Sequence, residues 1–354
     1  MDKKNRTREL LVEHFRAYPR LEEQDIFKYL FQSAFGCEHL VASESAVLKR
    51  IKDEYAGVSA QMPPLSEPLD GQYSRVHLSH LNGGLSPETL AALFCLSAKK
   101  EPDGVCLLEQ KLRVTAQLID DGVLPFDAAQ FAQSVEKWKQ EGYCAVRHSD
   151  AFRTEYRPAY RVISNRYTPF LQVFAQIDKL LAKGRAVVAI EGGSASGKST
   201  LSEVLQSVYG CNVFHMDDFF LRPEQRTPER LGQIGGNVDR ERFAEEVLVG
   251  ITRGEAVSYR RYDCGTQSLG ESVLVKPDRL TVVEGVYSMH PELGVYYDLA
   301  VFLNVSPDTQ RARIGKRNTP ALAQRFFGEW IPMENAYFAK MGIRHRCDVV
   351  IDVK

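Results

Sequence analysis

The chain of 354 residues carries a formal net charge of −1, with 26% charged and 44% hydrophobic residues. That length is enough for about two domains. Near-neutral charge gives no global basic field, so nucleic acid is not an expected partner, and no run approaches the ~18 apolar residues of a membrane span. The seven cysteines (37, 95, 106, 144, 211, 264 and 347) are scattered and form no C-x-x-C pair. They suit a reducing cytoplasm and give no zinc pattern. Met1 to Arg6 leads into a charged amphipathic stretch without an apolar leader core, so a cytoplasmic location is expected.

Residues 1–168 read as a mainly α-helical domain of unassigned role. Thr7–Ala17 carries Leu10, Leu11, Val12 and Phe15 at helical spacing. Leu21–Phe35 repeats the pattern with Ile26, Phe27, Leu30 and Phe31, and Ser43–Tyr55 gives another helix. Residues 57–71 form a polar, proline-containing loop. Ser86-Pro87-Glu88 is a helix start, cap followed by proline in the first turn, and residues 105–121 and 127–141 give further helices. Cys37-Glu38-His39, His77, His80 and His148 have metal-ligand chemistry but lack ligand spacing apart from His77-x-x-His80. The segment Phe152–Arg161 is rich in Arg and Tyr. It reads as a connecting stretch with packed tyrosines and solvated arginines, or as a surface for a ligand or for the rest of the chain.

Thr168-Pro169 breaks any helix, so a second domain is expected over 169–354. Phe170–Leu181 is an amphipathic helix ended by Gly184, and Ala186–Ile190 is a short apolar run typical of a buried parallel strand. Next come Gly192-Gly193-Ser194-Ala195-Ser196-Gly197-Lys198-Ser199-Thr200, which contain G-x-x-x-x-G-K-S, and then the helical spacing of Leu201–Val208. Strand, glycine-rich loop and helix in that order are what a phosphate-cradling P-loop requires. Loop N–H groups form an anion nest at a helix N-terminus. Lys198 can reach the β- and γ-phosphates, and the Ser199 hydroxyl can sit on Mg²⁺.

Further strands end in carboxylates, where ligands bind in an open α/β sheet. Asn212–Met216 ends in Asp217-Asp218, and Leu280–Val283 ends in Glu284, which is placed to hold Mg²⁺ directly or through water. A kinase needs such an acid to take the proton of the attacking hydroxyl. Between them lie the glycine-bearing loop 231–239, with Asp239 as a helix cap or a ligand for substrate hydroxyls, and Tyr259–Asp263. Leu299–Val305 is another buried strand. Ser306-Pro307-Asp308 opens a helix carrying Arg311, Arg313, Lys316 and Arg317, and residues 348–353 give a last strand.

The ordered series Gly192-x4-Gly197-Lys198-Ser199, Asp217-x-Phe219-Phe220, Asn237-x-Asp239, Tyr262-Asp263, Val283-Glu284-Gly285 and an Arg-rich helix resembles the uridine kinase and phosphoribulokinase family over about residues 185–354. The resemblance implies a P-loop NTPase-type parallel sheet flanked by helices. It implies Asp217 as catalytic base, Asp239 beside sugar hydroxyls, Tyr262 near the nucleobase and Glu284 at the metal. Arg311 to Arg317 match the lid, with Arg313 and Arg317 on the nucleotide and Arg311 and Asp218 on the acceptor. Asp218 and Phe220 stand where the family has Ser and Tyr. Cys264 follows Tyr-Asp in place of Phe, and Gln267 and Leu269 stand where uridine kinases carry a base-reading His and Arg.

The expectation is therefore a kinase using ATP (or GTP) and Mg²⁺, with a hydroxyl acceptor that is a nucleoside such as uridine or cytidine. Another small alcohol or sugar is the alternative within the family. A nucleotide-binding regulatory protein with a helical output domain is the alternative outside it, although no Asn-Lys-x-Asp guanine-reading motif is present. Self-association as a homo-oligomer is left open.

Overall fold

The computed structural model describes residues 3–62, 65–294 and 296–353, in two units that divide between Leu171 and Gln172. Pro63 and Pro64 of the expected 57–71 loop lie outside the described residues. Among the described residues no helix is long and apolar enough to cross a membrane.

In the first unit the helices Lys3–Ala17, Glu23–Phe35, Glu44–Tyr55, Pro87–Ser97, Gly104–Asp120 and Ala128–Gln140 fall where apolar spacing predicts them. Their starts are fixed by side chains that accept otherwise orphaned N–H groups. Ser43 accepts from Ala46, Ser86 from Thr89 and Asp127 from Gln130. Helix Glu23–Phe35 buries Ile26, Leu30 and Phe31 against the rest of the unit.

The unit is mainly helical, as expected, and also holds a small sheet that the sequence did not reveal. Strands β1 (Ser66–Pro68), β2 (Tyr73–His77) and β3 (Tyr160–Ser164) form an antiparallel sheet in the order β1-β2-β3. The strands were hidden because a buried arginine interrupts each of the two longer ones. Arg75 in β2 is 2% exposed, lies over the rings of Tyr29 and Tyr160, and bonds to Gln32 and Glu67. Arg161 in β3 is 7% exposed and is held by Glu54 at 2.7 Å. The expected solvated arginines of the 152–161 segment are therefore corrected at Arg161, and that segment contains a helix, Asp150–Tyr156, as well as the start of β3. Burial of each arginine is tolerated because some of its donors meet a carboxylate or an amide and its plane meets an aromatic face, although Nη2 of both finds no acceptor among the described residues.

In the second unit a parallel sheet has the order β10-β9-β4-β8-β5, with β4 (Ala186–Gly192), β5 (Asn212–His215), β8 (Leu280–Glu284), β9 (Leu299–Val305) and β10 (Val349–Val353). β4 is central and buried along its whole length, which explains its unbroken apolar run. The helix Lys198–Tyr209 packs on β4 and β8. β6 (Val257–Asp263) and β7 (Ser268–Val275) form a separate antiparallel hairpin; β7 alternates weakly and is mostly exposed, so periodicity did not reveal it. Phe214, Phe219, Phe243, Tyr259 and Tyr337 fill the core beside the sheet.

Candidate functional site

Parallel pairing brings the ends of three adjacent strands level. Ile190 of β4 pairs with Glu284 of β8, and His215 of β5 pairs with the same Glu284. The P-loop therefore leaves the centre of the sheet beside Glu284, with Asp217 and Asp218 one step beyond β5. Sequence reasoning placed all of these at strand ends; the register makes them neighbours.

The loop needs unusual backbone. Gly192 has φ 142°, and a Cβ there would lie 2.5 Å from the Leu303 carbonyl oxygen, so only glycine fits. Ala195 takes the left-handed conformation at φ 59°, a strained choice for a residue with a side chain, of the kind kept at functional sites. The buried Ser196 hydroxyl has no hydrogen-bond partner among the described residues. An orphaned buried donor inside a glycine cradle fits a loop shaped for an anion. Lys198 Nζ donates to the Gly193 carbonyl at 3.0 Å. The Ser199 hydroxyl donates to Glu284 Oε1 at 3.2 Å, and Thr200 follows it, exposed, in the first turn of the helix. Ser199 and Glu284 together offer the hard oxygen donors that Mg²⁺ takes.

Across the strand ends, His215 Nδ1 lies 2.6 Å from Glu284 Oε1, and this carboxylate raises the imidazole above its usual value. Asp217 is open to solvent at its tip, yet its carboxyl is pushed up, chiefly by the protein crowded around it and also by Glu284 and Asp218, while Lys198 pulls it down. Asp218 lies 3.5 Å from Arg261 Nε, and its carboxyl is raised by desolvation against that pull. The turn holding both acids is anchored by buried Phe219, packed on Phe243 and Tyr259 with Arg242 over its ring at 4.2 Å.

Other expected site residues are engaged inside the protein. Asp239 is 3% exposed, caps helix Arg240–Phe243 through the Arg242 N–H and accepts from Gln225 Nε2 at 2.9 Å. Tyr262 is buried, and its hydroxyl accepts from Arg226 at 2.6 Å. Gln267 is exposed on the β6–β7 turn at φ 53°. Of the arginine helix, Pro307–Arg317, Arg313 donates to the Ala195 carbonyl at 3.0 Å, and Gln310 donates to the Ser194 carbonyl at 2.8 Å. Arg311 and Arg317 lie over Phe327 and Phe326. The basic helix therefore leans on the P-loop at one turn only.

Two carboxylates were missed. Glu191 ends β4 fully buried. It accepts from the N–H groups of Gly192 and Met289 and from the Tyr337 hydroxyl, and burial pushes it up to about 7. Its position between the apolar run Ala186–Ile190 and the glycines of the loop was the available signal. Glu334, on helix Ile331–Lys340, accepts from the Ser194 N–H at 2.8 Å and from the Ser194 hydroxyl. Glu334, Tyr337, Phe338 and Met341 share one helix face, so an acid in an apolar stripe marked it. The Glu334 carboxyl is raised by burial, while Ser194 and Lys198 oppose that. A carboxylate thus already rests on one donor of the phosphate cradle. In the first unit, His77 caps its own turn and His80 meets Ser66 at 2.9 Å. No cluster of three or more His, Cys, Asp or Glu able to hold a metal occurs among the described residues.

No family model matches the chain. It is 27% identical over 146 residues to uridine-cytidine kinase 2-B of Danio rerio, covering 36% of this chain and 55% of that one. It is 26% identical over 137 residues to a uridine kinase of Chlamydia pneumoniae, covering 36% and 61%. Both similarities extend over about a third of this chain. The chain spans only about 55% to 61% of the length of these curated relatives. A structure described as a possible uridine kinase from Bacillus stearothermophilus is 23% identical, covers 51% of this chain and all of that one, and has a TM-score of 0.39. TT1252 from Thermus thermophilus has a TM-score of 0.28 at 16% identity.

Proposed function

We propose that the second unit is an ATP-dependent small-molecule kinase of the uridine kinase type, with a nucleoside hydroxyl as acceptor. What supports the reading most is the register that sets the P-loop, Glu284 and the Asp217 turn side by side at the carboxyl edge of the sheet. The nest at residues 192–199 would hold the nucleotide's phosphates, and the hollow of about 310 Å³ beside Gly193, Asn304 and Gln310 has room for more of it. Asp217 takes the proton of the acceptor hydroxyl as that oxygen bonds to the γ-phosphorus. The bond from that phosphorus to the bridging oxygen breaks, and ADP leaves. Raising a carboxyl makes it a better proton acceptor, so the crowding around Asp217 favours this role. Lys198, the loop N–H groups and Arg313 balance the charge of the phosphates. Ser199 and Glu284 would hold Mg²⁺, which supplies charge neutralisation at the phosphates.

Acceptor identity is set outside the P-loop. Asp218 with Arg261, and Asp239 with Gln225, are polar pairs on the segments that follow the proposed base. The exposed Gln267 and half-buried Leu269 give no ring-reading pair of the uridine kinase kind. The test is a coupled ADP-release assay across uridine, cytidine, pantothenate, glycerate and simple sugars. Acceptor-dependent ADP release with a nucleoside is the expected result. Nucleotide hydrolysis that no acceptor on the panel stimulates would contradict the kinase reading.

A further inference from the structure

A wide cavity lies far from the P-loop in sequence. It is an open cleft of about 1470 Å³ lined wholly by residues of the first unit. That is larger than the ~300–1,000 Å³ usual for small-molecule sites. Its walls carry Lys28, Arg50, Arg147, Arg153, Arg157 and Arg161, against only two lining carboxylates, Glu54 and Glu155. Both carboxylates are spent: Glu54 bonds Arg50 at 2.8 Å and Arg161 at 2.7 Å, and Glu155 bonds Arg20 at 2.7 Å. Arg147, Arg153 and Arg157 have no carboxylate partner among the described residues. The lining histidines do not supply the charge, since burial lowers His39 and His77 and pulls His148 down to about 4. Lys28 answers only the Val146 carbonyl, at 3.2 Å. Burial, with the nearby Arg75 and Arg153, pushes its ammonium down to about 8 against the pull of Asp25.

Two features show that the cleft is built. Arg161 is 7% exposed and lines it, and its Nη2 is buried without a hydrogen-bond acceptor among the described residues. A buried guanidinium nitrogen left unmatched is costly, which marks the position as kept for its charge beside the cleft. The wall beside it is fixed by a chain from Asp25 to His148 at 2.8 Å and from His148 to the Tyr160 hydroxyl at 2.7 Å. Val47, Val58, Phe94 and Val162 add an apolar surface, which a bare inorganic anion would not use.

We infer that the first unit binds a phosphorylated organic small molecule of about nucleotide size in this cleft, with its phosphate among the arginines and its body on the apolar wall. Arginine forks match phosphate oxygens in pairs, and the excess of positive charge selects the dianion over its neutral counterpart. This site is separate in sequence from the P-loop and does not depend on the kinase reading.

The test is titration calorimetry on the full chain carrying Lys198→Ala, which disables the P-loop. The probes are 1-naphthyl phosphate and phenyl phosphate, each compared with 1-naphthol and phenol, none of which is an acceptor or product of the proposed kinase. Binding of a phosphorylated probe at one site per chain, with no binding of its unphosphorylated partner, is expected. The surface pair Arg153→Met with Arg157→Asn should weaken it by about tenfold or more. Asn keeps the left-handed backbone that Arg157 adopts at φ 42°, and both side chains are exposed, so folding is spared. Arg161→Met, a buried change, serves as the second variant. Failure of both phosphorylated probes to bind, equal binding of the unphosphorylated ones, or affinity indifferent to the double variant would overturn the inference. No turnover is measured, so the outcome is independent of whether the second unit is a kinase.

Discussion

At Glu191 burial holds the carboxyl up at about 7, against an ordinary value of 4.5. The folded state therefore keeps a proton that the unfolded state releases between those pH values. Stability from this group is fully present below pH 4.5 and is lost as pH rises through about 7. The loss approaches about 3 kcal/mol at 1.36 kcal/mol per pH unit. Glu191→Gln should remove this slope. Urea unfolding of the nucleotide-binding transition at pH 5 and pH 8 checks it, and an unchanged slope in the variant would refute the assignment. Glu334 is a second buried acid with a different consequence. Its carboxylate occupies the Ser194 N–H that an incoming phosphate would use. Glu334→Ala should tighten nucleotide binding by about tenfold, the worth of one lost charge-assisted competitor. Calorimetry with ADP measures it, and weaker binding would mean that Glu334 assists the ligand. Neither acid was legible beforehand, because burial and partner choice are tertiary facts. Asp217, Lys198, Ser199 and Glu284 were legible because each stands next to a strand or loop whose pattern is local.

Elements decide how well those residues are aimed. The turn after β5 is a single 3₁₀ turn, Met216–Phe219, tied to the Asp239 N–H and to Arg242, and its anchor in the core is Phe219, which is 0% exposed between Phe243 and Tyr259. Phe219→Ala should cost about 3–5 kcal/mol, the usual range for a buried aromatic. It should also lower kcat more than it weakens nucleotide binding, since the P-loop does not touch this ring. Unfolding midpoint and steady-state kinetics together test this, and a variant of native stability would show that the turn is held elsewhere. The P-loop strand–loop–helix unit was readable from apolar runs and glycine spacing. The strands of the first unit were not, because Arg75 and Arg161 stand at buried positions where alternation demands apolar residues. Helix Ile331–Lys340 was passed over, since a π-wound turn at Phe326–Trp330 and Pro332 blur its start.

Over the whole molecule, a net charge of −1 conceals a concentration of arginines in one cleft of the first unit. Composition averages such features away, and only the fold assembles them from residues 28, 50 and 147–161. The second unit concentrates acids and the P-loop lysine at one sheet edge, and the proposed kinase chemistry depends on that edge. The direct measurement is a comparison of Asp217→Asn with the unaltered chain, following nucleotide binding by calorimetry and phosphoryl transfer in single turnover with a nucleoside acceptor. The account expects nucleotide affinity to hold while transfer falls by about 10²–10⁴-fold, the worth of a positioned general base. Transfer at the unaltered rate in Asp217→Asn would contradict it.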